Sequence, residues 1–232
     1  MTSRTLLSLA LLCTLPTARA EPIVADRPGF STGTYTVRPG HYNVELGFQG
    51  SRDGRSLPLT NVRIGSTTST EVEVQWGGWT FANGSSTVNN LTLGGKYRLL
   101  DSDDLKLSLL GLLNLPSGNG NAAGSKAAPQ LSLLWSRKEL FGMLQLASSN
   151  PGTLQTQAQA AIGYSYAIDD SLSSYVELYA DHPLNHSGND VYMMDGGYAW
   201  LLNESTQLDL HIGLDLNGNA AHFIGMGYAR SY

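Results

Sequence analysis

The chain has 232 residues, with 14 basic and 19 acidic side chains for a net charge of −5, 26 glycines and one cysteine. That length suits one domain, and the lack of any basic cluster speaks against nucleic acid as a partner. The lone Cys13 falls within an N-terminal leader, so the chain beyond it has no disulfide, no Cys-based metal site and no Cys nucleophile.

Residues 1–20 read as a secretory signal. Arg4 is the positive start, Leu6 to Leu12 the short apolar core, and Thr17-Ala18-Arg19-Ala20 the small-x-small end, which places cleavage after Ala20. The apolar run is far short of the ~20 residues a spanning helix needs, and Leu12 ahead of Cys13 argues against a lipoprotein acceptor. Removing Arg4 and Arg19 leaves 12 basic against 19 acidic residues, a net charge of −7. Residues 21–40 come next. From Ala25 to Pro39 they are rich in Gly, Thr and Pro and show no alternation, which leaves two readings open: a periplasmic tail, or a segment folded into a lumen.

From residue 41 the pattern has period two. Tyr42, Val44, Leu46 and Phe48 alternate with Asn43, Glu45, Gly47 and Gln49; Val72, Val74 and Trp76 with Glu71, Glu73 and Gln75. Ala158, Ala160, Ile162 and Tyr164 alternate with Gln157, Gln159, Ala161 and Gly163. Leu208, Leu210, Ile212, Leu214 and Leu216 alternate with Gln207, Asp209, His211, Gly213 and Asp215. A helix would smear these apolar residues around all its sides. The pattern predicts twelve strands near 41–49, 59–66, 70–78, 87–99, 104–114, 128–136, 139–147, 156–166, 171–180, 190–200, 205–215 and 221–231. Short turns at 67–69, 100–103, 137–138, 167–170 and 201–204 alternate with longer links at 50–58, 79–86, 115–127, 148–155 and 181–189. The last link, 217–220, is short. Sorting of this kind marks an outer-membrane barrel with periplasmic turns, and aromatics near the strand ends, Phe141 and Phe223 among them, fit its interfacial girdles. The expected fold is therefore all-β: an antiparallel transmembrane barrel of about twelve strands over residues 41–232.

The stretch Ala25-Asp26-Arg27-Pro28-Gly29-Phe30-Ser31-Thr32, then Thr36-Val37-Arg38-Pro39-Gly40 and Val44-Glu45-Leu46-Gly47-Phe48, resembles the opening of a bacterial family named for the meta-pathway of phenol degradation. Leu93-Gly94-Gly95-Lys96-Tyr97-Arg98-Leu99-Leu100 is similar to its second recurring stretch, with Asn89-Asn90 standing where the family usually has Gly-Asp. The end from Leu208 to Tyr228 fits its closing hairpin. The resemblance implies a transporter-like outer-membrane barrel that passes or binds small molecules, hydrophobic or aromatic ones by the family's name alone. It implies no established catalytic residues.

A charge in hydrocarbon is costly, ~2–4 kcal/mol for Arg or Lys at mid-depth. Glu45, Arg63, Glu71, Glu73, Lys96, Arg98, Lys106, Glu177, Asp195, Asp209, His211 and Asp215 are therefore expected to face a lumen. They would form either a polar pathway that selects solutes or a salt-bridged interior that only holds the wall. Asp26 and Arg27 are the sharpest candidates for a plug or gate, with Arg27 expected to pair with Glu45, Glu71 or Glu73. An exposed periplasmic pair worth little is the alternative.

His182, His186 and Ser187 lie close together, but in a loop that positions a Ser–His pair poorly. No catalytic residue, metal or cofactor is expected. Asp215-Leu216-Asn217-Gly218-Asn219 reads as a turn, since a calcium loop would need a bidentate Glu where Met226 stands. The expected partners are outer-membrane lipids, a small solute, and the barrel-assembly machinery. The C-terminal Tyr232, on one face with Tyr228, Met226 and Ile224, resembles the signal that machinery reads, although Arg230 departs from it.

Overall fold

A sheet that is apolar on one face and polar on the other leaves unpaired backbone groups at its edges, and hydrocarbon does not tolerate them. Closure removes the edges. The computed structural model describes residues 22–119 and 126–232, and it closes. The signal at 1–20 and the middle of the 115–127 link lie outside the described residues.

Fourteen antiparallel strands are found among the described residues: β1 Tyr42–Ser51, β2 Gly54–Thr67, β3 Thr70–Trp76, β4 Trp79–Ala82, β5 Ser85–Val88, β6 Leu91–Asp101 and β7 Lys106–Asn114. These are followed by β8 Ala128–Arg137, β9 Leu140–Ser149, β10 Gln155–Ala167, β11 Leu172–Pro183, β12 Val191–Asn203, β13 Thr206–Asp215 and β14 Phe223–Ser231. Twelve of them form the wall, each pairing with its neighbour, and β1 pairs with both β2 and β14 to close it. The twelve-strand expectation holds, and two strands are added to it.

The addition corrects the expected 79–86 link. β4 and β5 form a hairpin joined by Asn83-Gly84, both with positive φ (51° and 74°), the conformation of a tight hairpin turn. The hairpin pairs with Arg55–Leu57 at the start of β2. The expected 50–58 link is likewise overturned: Ser51 pairs with Gly54, so only Arg52 and Asp53 separate the strands.

Outward positions carry the greasy residues. Leu46, Ile64, Val72, Leu131, Leu144, Ile162, Leu178, Leu210 and Met226 are all exposed on the wall, as the lipid face of a barrel requires. Toward the turn end, Tyr97, Tyr164, Tyr166, Tyr198 and Trp200 are also exposed. Phe141 and Phe223 do not belong to that girdle; Phe223 lies against His211 (5.5 Å) and Phe141 near Tyr175 (6.4 Å) inside the lumen. At the closing seam Tyr42 stacks on Tyr232 at 4.9 Å, and the Arg230 guanidinium lies 5.0 Å from the Tyr232 ring. The inward face is not polar throughout. Leu110, Leu134, Met143 and Ala161 form a buried apolar cluster on β7 to β10, with Leu112 and Tyr179 packed against it.

Candidate functional site

Residues 22–41 run along the inside of the barrel, and for that position alone they are called the plug. Ile23 N–H donates to Glu204 O at the turn end (2.7 Å). The segment rises along the lumen to Phe30, which stacks on Tyr179 at 4.3 Å and meets Phe223 edge-on at 5.9 Å. It then returns past Thr34, which reaches Ser136 at 3.0 Å, and Val37, to enter β1. Hydrogen bonds tie it to nine of the twelve wall strands. A segment with no sheet partner must satisfy its backbone groups with side chains, and the wall supplies them. Glu177 accepts from Phe30 N (2.7 Å), Ser31 N (3.0 Å) and the Ser31 hydroxyl; Glu71 accepts from Val37 N (2.6 Å); Ser108 donates to Thr34 O (2.6 Å).

The charged residues gather in three places. The first is a network where β1, β2, β3 and β6 meet Asp26. Arg63 is fully buried and uses all its N–H groups: Glu71 (2.9 and 3.1 Å), Glu45 (3.3 Å), Val24 O and Tyr35 O (both 2.9 Å). Lys96, equally buried, holds Asp26 at 2.8 Å, Glu71 at 3.1 Å and Glu73 at 3.7 Å. Buried ion pairs offset their desolvation only when further hydrogen bonds complete them, and here the plug's own carbonyls do so. Asp26, Glu71 and Glu73 bring oxygens within 4.8 Å of one another, as a metal site would, but the Lys96 ammonium sits among them.

The second place is Arg27. It pairs with Asp209 (3.3 Å) and Met226 O (3.2 Å), not with Glu45, Glu71 or Glu73, which Arg63 and Lys96 engage. Its guanidinium lies against Gly47 of β1 and Gly227 of β14: an added Cβ would come within 2.3 and 2.2 Å of it. Close approach of a side chain to the wall is what these glycines allow. The third is Asp195, which accepts from Tyr175 (2.8 Å) and faces His211 Nδ1 at 3.2 Å.

The remaining candidates lie apart. Arg98 reaches Thr36, Thr68 O and Asp101 near the turn end, with Lys106 close to Asp101. Asp215 caps the β13–β14 loop through Asn217 N. His182 does not lie in the expected loop but near the end of β11, where it pairs with Asp190 at 2.6 Å, and among the described residues no hydrogen bond joins Ser187 to either histidine. Gly47, Gly227, Ser108, Tyr175, Tyr179 and Gln207 serve the plug or its surroundings without having been singled out; an inward glycine or serine within an alternating strand is the signal that could have marked some of them.

Two cavities flank the plug. The loop-side one, about 750 Å³, is lined by β1, β2, β3, β5 to β8 and the plug. The turn-side one, about 710 Å³, has Arg98, Lys106, Lys138 and Asp169 in its lining. They share Asp26, Arg27 and Thr32 and no wall residue.

Solved structures share this architecture. An outer membrane channel from Pseudomonas putida F1 superimposes with a TM-score of 0.63 at 15% identity, covering 89% of this chain and 99% of that one. The KdgM porin gives 0.57 at 10% identity over 82% and 99%, and the NanC porin 0.56 at 10% over 82% and 98%. At such identities the likeness concerns the fold. No curated protein matches the sequence. The family model described as "Putative MetA-pathway of phenol degradation" matches residues 25–232, and the chain belongs to that family.

Proposed function

We propose that this barrel is an outer-membrane channel for passive passage of small solutes, closed in the state described by residues 22–37. The observation that carries the reading is the pair of cavities that meet only at Asp26, Arg27 and Thr32. Eight strands enclose a lumen just wide enough for side chains and sixteen leave a channel; twelve leave room for a peptide or a solute. Displacing the plug joins the cavities into one aqueous path, with no cofactor and no energy coupling. Aromatic or hydrophobic solutes are supported by the family's description alone. The outer-membrane location draws support from the fold and from the leader.

Single-channel conductance and liposome swelling test the reading. The intact chain is expected to conduct weakly, and deletion of residues 22–36 to raise conductance at least tenfold. If the deletion variant folds and neither protein conducts or swells, the barrel is a structural one and the proposal fails.

A further inference from the structure

We infer that the loop-side cavity is a binding site for uncharged, polyhydroxylated solutes of mono- to disaccharide size; this deepens the channel reading and rests on it. The volume of about 750 Å³ falls within the ~300–1,000 Å³ of small-molecule sites. Its chemistry narrows the ligand. Six carboxamides line it, Asn61, Gln75, Asn89, Asn90, Asn114 and Gln130, together with Thr60, Thr87 and Thr92. Carboxamides and hydroxyls both donate and accept without charge, as sugar hydroxyls do.

Part of this array is already used. Asn89 Nδ2 donates to Gly77 O (2.7 Å) and to Thr80 Oγ1 of the β4–β5 hairpin (2.9 Å), and Asn90 Oδ1 accepts from Gly118 N (2.9 Å) in the β7–β8 link. Gln75 Nε2 donates to Glu73 (2.9 Å), Asn90 Nδ2 to Asn114 Oδ1 (2.6 Å) and the Thr60 hydroxyl to Pro58 O (3.5 Å). Among the described residues the side chains of Asn61, Thr92 and Gln130 make no hydrogen bond. Asn61 Oδ1 and Glu45 Oε2 are buried without a partner, and Glu45 is only 1% exposed. A buried acceptor without a partner is costly, and an O–H donor in the cavity would satisfy it. Trp76 adds an aromatic face, its indole N–H held by Asn89 O at 3.1 Å.

The alternatives fit poorly. An anion entering here meets Asp26 and Glu45 on the floor, with Glu71, Glu73 and Asp209 behind them. Against these five carboxylates stand three cations, Arg27, Arg63 and Lys96, each already paired. A hydrophobic solute would strip water from the carboxamides and return no hydrogen bond.

The test is binding of maltose, digalacturonate and phenol to the detergent-solubilised chain, read by calorimetry. Maltose is expected to bind at least tenfold more tightly than the other two. Asn61→Leu combined with Gln130→Leu is expected to weaken it at least tenfold, and the shape-conserving Thr92→Val two- to fivefold, with heat-modifiable gel migration retained. Tighter binding of phenol or digalacturonate, absence of maltose binding, or affinity unchanged in Thr92→Val and in the double variant would overturn the inference. Swelling on the same preparation separates the two readings. Passage without maltose binding removes the site and leaves the channel. Maltose binding with no passage, even after deletion of residues 22–36, removes the channel and leaves the site.

Discussion

At the scale of single residues, the plug is held by charges whose partners come from different strands. Lys96 is the clearest case, because three carboxylates converge on one ammonium. Removing one partner of a buried ion pair costs ~3–5 kcal/mol by leaving the others uncompensated. Lys96→Met is therefore expected to lower the unfolding free energy by about 3 kcal/mol, measured by urea titration in lipid vesicles. Lys96→Arg should lose less. Gly227→Ala tests a steric contact instead of a charge. Its methyl would fall 2.2 Å from Arg27 Nε and 2.5 Å from Asp209 Oδ2, so Arg27 must leave its seat while the wall stays paired. The expected result is conductance close to that of Arg27→Ala; conductance equal to the parent's would show that Arg27 does not hold the plug. Of this site, the charges were legible in the sequence and the pairing was not. Polar residues within greasy alternation can only point inward, which marked Glu45, Arg63, Glu71, Glu73, Lys96, Glu177, Asp209 and His211. Which of them Arg27 meets depends on where the segment crosses the lumen, and alternation says nothing about that.

At the scale of elements, legibility followed the strength of the alternation. β1, β10 and β13 alternate cleanly, and their observed bounds lie within three residues of those expected. β7 has leucine on both faces, at 107, 109, 110, 112 and 113, because it faces lipid outward and an apolar cluster inward. The β4–β5 hairpin carries the strongest short-range turn signal, Asn-Gly between alternating residues, but Trp79–Ser86 is also rich in Gly, Asn and Ser, which is the composition of a link. The hairpin sits on β2 beyond the span shared with β3. Replacing residues 79–88 with a short Gly-Ser link should therefore leave the heat-modifiable barrel intact while abolishing the loop-side cavity; loss of the folded barrel would show that the hairpin is part of the wall's stability. The plug's apex depends on Glu177, which accepts from three donors of Phe30 and Ser31. Glu177→Ala is expected to raise the rate of proteolytic cleavage within residues 28–34 at least tenfold, with cleavage of the loops unchanged.

At the scale of the whole molecule, the barrel is asymmetric. Its inner surface is charged on β1, β2, β3 and β6 and again on β11 to β13, and apolar on β7 to β10, and the segment threaded inside meets each with matching chemistry: Asp26 toward the first, Phe30 at the border of the apolar part. The seat of Arg27 straddles the seam where the chain's first and last strands join, drawing on Gly47 of β1, Gly227 and Met226 of β14, and Asp209 of β13. The β13–β14 half of that seat can form on the open sheet, and the Gly47 half is added only when β1 pairs with β14. A sheet whose seam is open therefore lacks the Gly47 wall of the arginine's seat while keeping the ties to β3, β6, β7 and β11. The docked arginine thus reads out ring closure at a single contact, where the chain's first wall strand meets its last.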